Sequence, residues 1–220
     1  METTLGEQLL LLSLDDESGA GRESANVGWA IAGASLVELA LAGRITVDGD
    51  IVSAIDPSPV GHPSLDAALA AIAGREKPGR AADWIQHLRK DAVAAASAGL
   101  VDKGLVREET KKVLGLFPVR RYPEADGSVE AAVRERLDAA VLRGGSPDER
   151  TASLIALLHG GGLARLAFPA ADTSRAEAAM EAIARGHWAA PAVHRVVESV
   201  RATLTVIVTT TVVTTVIAGN

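Results

Sequence analysis

Only six of the 220 side chains are aromatic, three Trp, two Phe and one Tyr, and this scarcity constrains the fold more than any other feature of the chain. An interior without large rings has to be filled by Ala, Leu and Val, which favours helices that approach closely through small faces. The length suits one compact domain, or at most two small ones. A 48% hydrophobic and 23% charged composition excludes wholesale disorder, collagen and rod-like coiled coils. The absence of Cys removes disulfides, thiolate nucleophiles and Cys-ligated zinc, and gives no support to an oxidised, secreted location. A cytoplasmic setting is therefore expected. A net charge of −6 argues against general nucleic-acid binding, which is driven by Lys and Arg releasing phosphate counterions. Glu2 and Glu7 stand where a signal peptide would carry a basic and then an apolar stretch.

Local patterns place the elements. Thr4 and Glu7 have capping-box spacing ahead of Leu9 to Leu12 and Leu14, which predicts a first helix apolar on most sides and buried. Asp15 to Gly19 close it in a polar turn, and a long helix is expected from Asn26 to Leu41 with Gly43 as its cap. In Ile45 to Val52, Asp48-Gly49 sits between β-branched runs, the signature of a tight hairpin. A loop from Asp56 to Pro63 leads to an Ala-rich helix from Ser64 to Gly74, and then to a charged connector, Arg75 to Arg80, that reads as the flexible point. A helix from Ala82 to Ala98 carries Trp84, Ile85 and Leu88 on one side. A shorter segment around Arg107 to Lys111 leads into Val113 to Val119, which reads as extended or as a hairpin. Helices are expected over Val129–Leu142, over Pro147–Leu158 started by Ser146 with Glu149 closing the box, and over Ser174–Ala184. A last helix runs from Ala192. The fold class is mainly α: one helical domain over residues 1–220, with amphipathic helices around a central bundle and one or two small β-hairpins.

Catalytic and metal chemistry finds little to rest on. Asp15, Asp16 and Glu17 lack the glycine-centred calcium-loop pattern and suit an exposed helix-ending turn. The five His (His62, His87, His159, His187, His194) show no metal-ligand spacing, with Pro191 between His187 and His194. Gly160-Gly161-Gly162 follows a helix and reads as a helix stop, since a phosphate loop joins a strand to a helix. No enzyme activity, cofactor or metal is assigned.

One segment stands apart. Lys111 and Lys112, then Leu114, Leu116 and Phe117, then Arg120 and Arg121, place an apolar tip between two basic pairs in an acidic chain. A loop that docks on anionic membrane is built this way. A buried strand with charged ends fits the same letters. A different class of function, a winged-helix DNA binder, is suggested by a helix followed by the Asp48-Gly49 hairpin. Its recognition helix is poor in groups for phosphates, because Asn26 to Ala42 contains Glu38 and no Lys or Arg.

No charged side chain follows Arg201 in this sequence, and Ala202 to Asn220 is near the lower length limit for a membrane span. The paired blocks Val212-Val213, Thr214-Thr215 and Val216-Ile217 break strict alternation and favour a helix. Val206, Val213, Val216 and Ile217 would lie on one side and Thr210, Thr211, Thr214 and Thr215 on another, a face expected to be too polar for a favourable isolated span. A packed helix of the domain is the expectation.

Six segments together resemble the Golgi phosphoprotein 3 family, including its bacterial members. They are Leu9 to Asp16, Leu36 to Ile45, Leu65 to Leu69, Leu100 to Leu105, Val113 to Pro123 and Asp148 to Phe168, in family order. The resemblance implies a helical domain with a central bundle. It also implies a peripheral membrane protein that inserts an apolar hairpin, binds phosphatidylinositol 4-phosphate and recruits glycosyltransferases through their tails. The hairpin corresponds to Leu114, Leu116 and Phe117. Of three arginines in the family's headgroup site, one position falls on Ala32, one on Lys90 and one on Val93, so one of three stays basic. The site's tryptophan falls near Glu23. Arg89 and Arg22 are close in sequence and are the candidates for compensation. Loss of two arginines predicts weak selectivity for phosphatidylinositol 4-phosphate, since one phosphomonoester needs several convergent charge-assisted donors. The lipid, the protein partner, the pathway and the choice between monomer and homo-oligomer are not specified by the sequence.

Overall fold

The computed structural model describes residues 2–15, 18–21, 24–113, 117–186, 188 and 190–218, with the side chains of 24–25, 111–113, 117–118 and 211–218 left aside. Nine helices and five short strands lie within these residues. The helices are α1 (Leu5–Ser13), α2 (Ser24–Leu41), α3 (Pro63–Ala73), α4 (Ala81–Asp102), α5 (Ser128–Val141), α6 (Glu149–Gly160), α7 (Ala164–Ala167), α8 (Thr173–Ala184) and α9 (Pro191–Ala218). The strands are β1 (Ile45–Asp48), β2 (Ile51–Ala54), β3 (Gly79–Arg80), β4 (Glu109–Val113) and β5 (Phe117–Arg121). The class is mainly α, as the aromatic-poor composition demands.

The centre is α2, with α1, α3, α4, α6 and α9 packed against it. Small residues set how closely they pack. A Cβ built on Gly33 of α2 would stand 2.7 Å from Val200 Cγ1 of α9, so these helices meet at a position where glycine removes the obstacle. Nearly all of α2 from Val27 to Ala40 is buried, including Glu38, whose carboxylate accepts from the Leu5 N–H and from the Arg150 guanidinium. A helix enclosed in this way offers no surface to a DNA groove, which removes the winged-helix reading.

Helix α1 is buried along its whole length, and Thr4 and Glu7 form the expected capping box. Fully buried Glu7 also accepts from Lys103 Nζ at 2.5 Å, tying α1 to the end of α4. The hairpin β1–β2 pairs Ile45 with Ala54 and Asp48 with Ile51, with Gly49 at φ +61° in the turn. Gly160 ends α6, and Gly162 reverses the chain at φ +64°, so the glycine run is the helix stop.

Four expectations require correction. The connector from Arg75 to Arg80 is built into the fold: β3 pairs with β2, Gly79 is buried, and the Arg75 guanidinium lies 4.6 Å above the Trp84 ring. Helix α6 starts at Asp148, which caps the Thr151 N–H at 2.7 Å, in place of a Ser146 box. Glu149 does not reach back to Ser146, because its carboxylate accepts from the Ala190 N–H at 2.5 Å. In α9 beyond Arg201, Leu204 is fully buried with the core, while Val206 is 66% exposed. Finally, α4 continues past Ala98 to Asp102, and the short α7 was not anticipated.

Candidate functional site

The segment Lys111 to Arg121 is a β-hairpin. β4 and β5 pair antiparallel from Glu109–Arg121 at the base to Val113–Phe117 at the far end, through Thr110–Arg120, Lys111–Val119 and Lys112–Pro118. This register puts Lys111 and Lys112 toward the far end of one strand and Arg120 and Arg121 toward the base of the other. Leu114 and Leu116 lie outside the described residues, and Phe117, Lys111 and Lys112 are placed by their backbone alone. Val119 is 39% exposed. Arg120 is exposed and pairs with Glu108 at 3.3 Å, whereas Arg121 is half-buried with its Nε lacking a hydrogen-bond partner.

The base of this hairpin is fixed to the body. Tyr122 N–H donates to the Gly19 carbonyl at 3.1 Å, and Arg107 N–H donates to the Pro123 carbonyl at 3.0 Å. Gly19 has φ +60°, and a Cβ there would stand 2.2 Å from the Pro123 nitrogen, so only glycine fits between the α1–α2 turn and the hairpin. Asp15, from the acidic turn, accepts from Ser18 N–H and organises that same turn. Its neighbours Asp16 and Glu17 lie outside the described residues.

A second basic feature lies between α2 and α4. Gly28, Gln86, Arg89, Lys90 and Val93 line an open depression of about 420 Å³. Arg89 and Lys90 are exposed, and the Arg89 guanidinium stacks 4.3 Å from the centre of the Trp29 ring. Such stacking orients the planar group while leaving its edge N–H donors available. Val93, itself exposed, lines the depression 3.5 Å from the point where a Gly28 side chain would begin. One turn along α2, Ala32 is fully buried. Two of the three headgroup candidates, Arg89 and Lys90, therefore share one depression, and Arg22 lies outside the described residues. Sequence reasoning missed Gln86, and it gave Trp29 no obvious part in replacing the site's tryptophan. The signal for Gln86 was present, since it lies three and four residues before Arg89 and Lys90 on the same helix, within one turn.

A more enclosed cavity of about 240 Å³ lies where α2, α3 and α4 meet the start of α1, with His62, His87 and Asp91 among its polar groups. Its acidic neighbour Glu7 is committed to structure: it accepts from the Thr4 N–H at 2.7 Å and from Lys103, with His62 Nε2 at 3.7 Å. Among the described residues no three His, Asp or Glu side chains are grouped so as to hold a metal ion. Among the same residues no helix is long and apolar enough to cross a membrane.

Comparison with known proteins gives this geometry a context. A sequence profile of the family described as Golgi phosphoprotein 3 matches residues 5–200. Over 159 residues the chain is 31% identical to a vacuolar protein sorting-associated protein 74 from Eremothecium gossypii and 27% identical to the protein of that name from Schizosaccharomyces pombe. Each match covers 61% of this chain and 47% of the relative, so the chain spans about half the length of the curated relatives it matches.

Proposed function

The chain belongs to the Golgi phosphoprotein 3 family, and from that premise we propose that it is a non-enzymatic adaptor that docks reversibly on anionic membrane through the β4–β5 hairpin. The observation that carries this reading is the strand pairing, which sets one basic pair on each strand of a single hairpin whose sequence between the strands includes Leu114 and Leu116. Burying Leu114, Leu116 and Phe117 among acyl chains yields about 1.5–3 kcal/mol each. Each flanking Lys or Arg adds about 1 kcal/mol near an anionic leaflet. Repulsion from the acidic body is screened beyond roughly 8 Å at physiological salt, so the local patch decides the outcome.

The depression holding Arg89 and Lys90 is the headgroup contact in this reading. With Ala32 buried and the apolar Val93 in its lining, it offers a phosphate fewer charged donors than three arginines do. Recognition is then dominated by surface charge, and a phosphoinositide is not strongly preferred. At the cytoplasmic face of a membrane the docked protein holds membrane enzymes, such as glycosyltransferases, by their tails. Liposome co-sedimentation tests the lipid part. Phosphatidylinositol 4-phosphate vesicles should bind less than about tenfold better, or 1.4 kcal/mol, than vesicles of another lipid matched for surface charge. A larger preference would show that Lys90, Arg89 or Arg22 rebuilds a selective site.

A further inference from the structure

Helix α4 presents different chemistry on two faces. Arg89 and Lys90 line the depression beside Gly28, whereas His87 and Asp91 line the separate cavity of about 240 Å³ that α4 shares with α3. Both α3 and α4 pack on α2 but hardly on each other. The space between them stays open because the side chains lining it are short: Ala67, Ala68 and Ala71 on α3, and Ala92, Ala95 and Ala96 on α4. Ile31, Leu65 and Leu88 complete the apolar part of the lining.

Most of the polar groups in that lining are already engaged. Glu38 accepts from the Leu5 N–H and, with both oxygens, from Arg150. Thr4 Oγ1 accepts from the Glu7 N–H at 3.1 Å, the Ser35 hydroxyl donates to the Ile31 carbonyl at 3.4 Å, and His62 Nδ1 lies 3.1 Å from Ser64 Oγ. Asp91 differs. It is exposed at the rim, and its carboxylate has no hydrogen bond or ion pair among the described residues. Lys90, its neighbour in sequence, lines the other depression, since adjacent positions on a helix do not face each other.

We propose that this cavity binds a small branched aliphatic amine, with its hydrocarbon among the alanines and its ammonium on Asp91. An apolar pocket takes the body of such a ligand, and the few polar groups at its edge fix the orientation. The uncompensated carboxylate selects a cationic donor and repels an anion of the same shape. Size and backbone argue for a free small molecule. The volume lies below the roughly 300–1,000 Å³ of sites that hold drug-sized ligands, and a lipid chain would overrun it. The walls are helices, whose backbone groups are bonded within each helix, so an extended peptide finds no main-chain partners there. The inference goes beyond membrane docking and does not depend on it.

The full chain in lipid-free solution provides the test. Isopentylamine should shift the amide resonances of α3 and α4 saturably in heteronuclear NMR spectra. Isocaproate, a carboxylate of similar shape, should bind at least about tenfold more weakly. Asp91→Asn, a change at an exposed position, should lower the affinity for the amine severalfold, to that of the neutral alcohol isopentanol. Ala95→Phe, in a chain of unchanged melting temperature, should fill the cavity and abolish the shifts. No saturable shift, equal binding of amine and carboxylate, or undiminished amine affinity in Asp91→Asn would overturn the proposal. So would self-association of the native chain that Ala95→Phe abolishes, which would assign the cavity to a second copy. Because no lipid is present, failure here leaves hairpin docking untouched.

Discussion

Asp148 shows how one side chain fixes an element's start. Its carboxylate accepts from the Thr151 N–H and so satisfies a donor that the first turn of α6 leaves open. Partial burial pushes this carboxyl up. The Thr151 amide and hydroxyl, with Arg136 and Arg150 nearby, pull it down further, and it ends below the usual carboxylate range. Because its folded value is the lower one, the cap stabilises above the ordinary carboxylate pKa and fades as pH falls through the folded value. Asp148→Ala should cost about 1 kcal/mol in denaturant unfolding at neutral pH, while Ser146→Ala should cost nothing measurable. The residues spell both caps; the choice depends on Glu149 being held by Ala190, a contact 41 residues away in sequence that no local pattern contains. Lys90 follows a similar logic: its place in a depression shared with Gly28 of α2 depends on the packing of α4 against α2. Lys90→Glu should weaken binding to anionic vesicles severalfold without lowering the melting temperature, and an unchanged affinity would take Lys90 out of the contact.

At the scale of elements, legibility followed the range of the forces involved. The capping box of α1, the Asp48-Gly49 turn and the Gly160 stop are short-range chemistry, and all three stand where the sequence places them. The Arg75–Arg80 connector looked loose because Pro78 and Gly79 break local structure. What orders it is a strand partner in β2 and a cation–π contact to Trp84. The Lys111–Arg121 segment left a choice between a hairpin and a lone strand, and the pairing of β4 with β5 resolves it. Leu114→Asp with Phe117→Asp should leave circular dichroism and melting unchanged, because these positions lie at or beyond the last strand pair. It should also remove the preference for anionic over neutral vesicles. A melting temperature lowered by several degrees would show instead that the tip packs against the body.

For the whole molecule, the scarcity of aromatic residues became close helix packing around α2. That packing leaves little tolerance where glycine sets the distance. Gly33→Leu should destabilise by about 1–3 kcal/mol through overpacking against Val200, read as a lower denaturation midpoint at unchanged slope. Net charge was a good guide to what the protein avoids and a poor guide to what it binds, since an acidic total conceals the basic pairs at 111–112 and 120–121. The measurement that bears most directly on the central claim is co-sedimentation of the intact chain with anionic and neutral liposomes across a salt series. The account predicts tighter binding to the anionic set, an advantage that shrinks as salt rises and is absent in the folded Leu114→Asp, Phe117→Asp chain. Equal binding to both lipid sets by the native chain, or an undiminished anionic preference in the double variant, would contradict it.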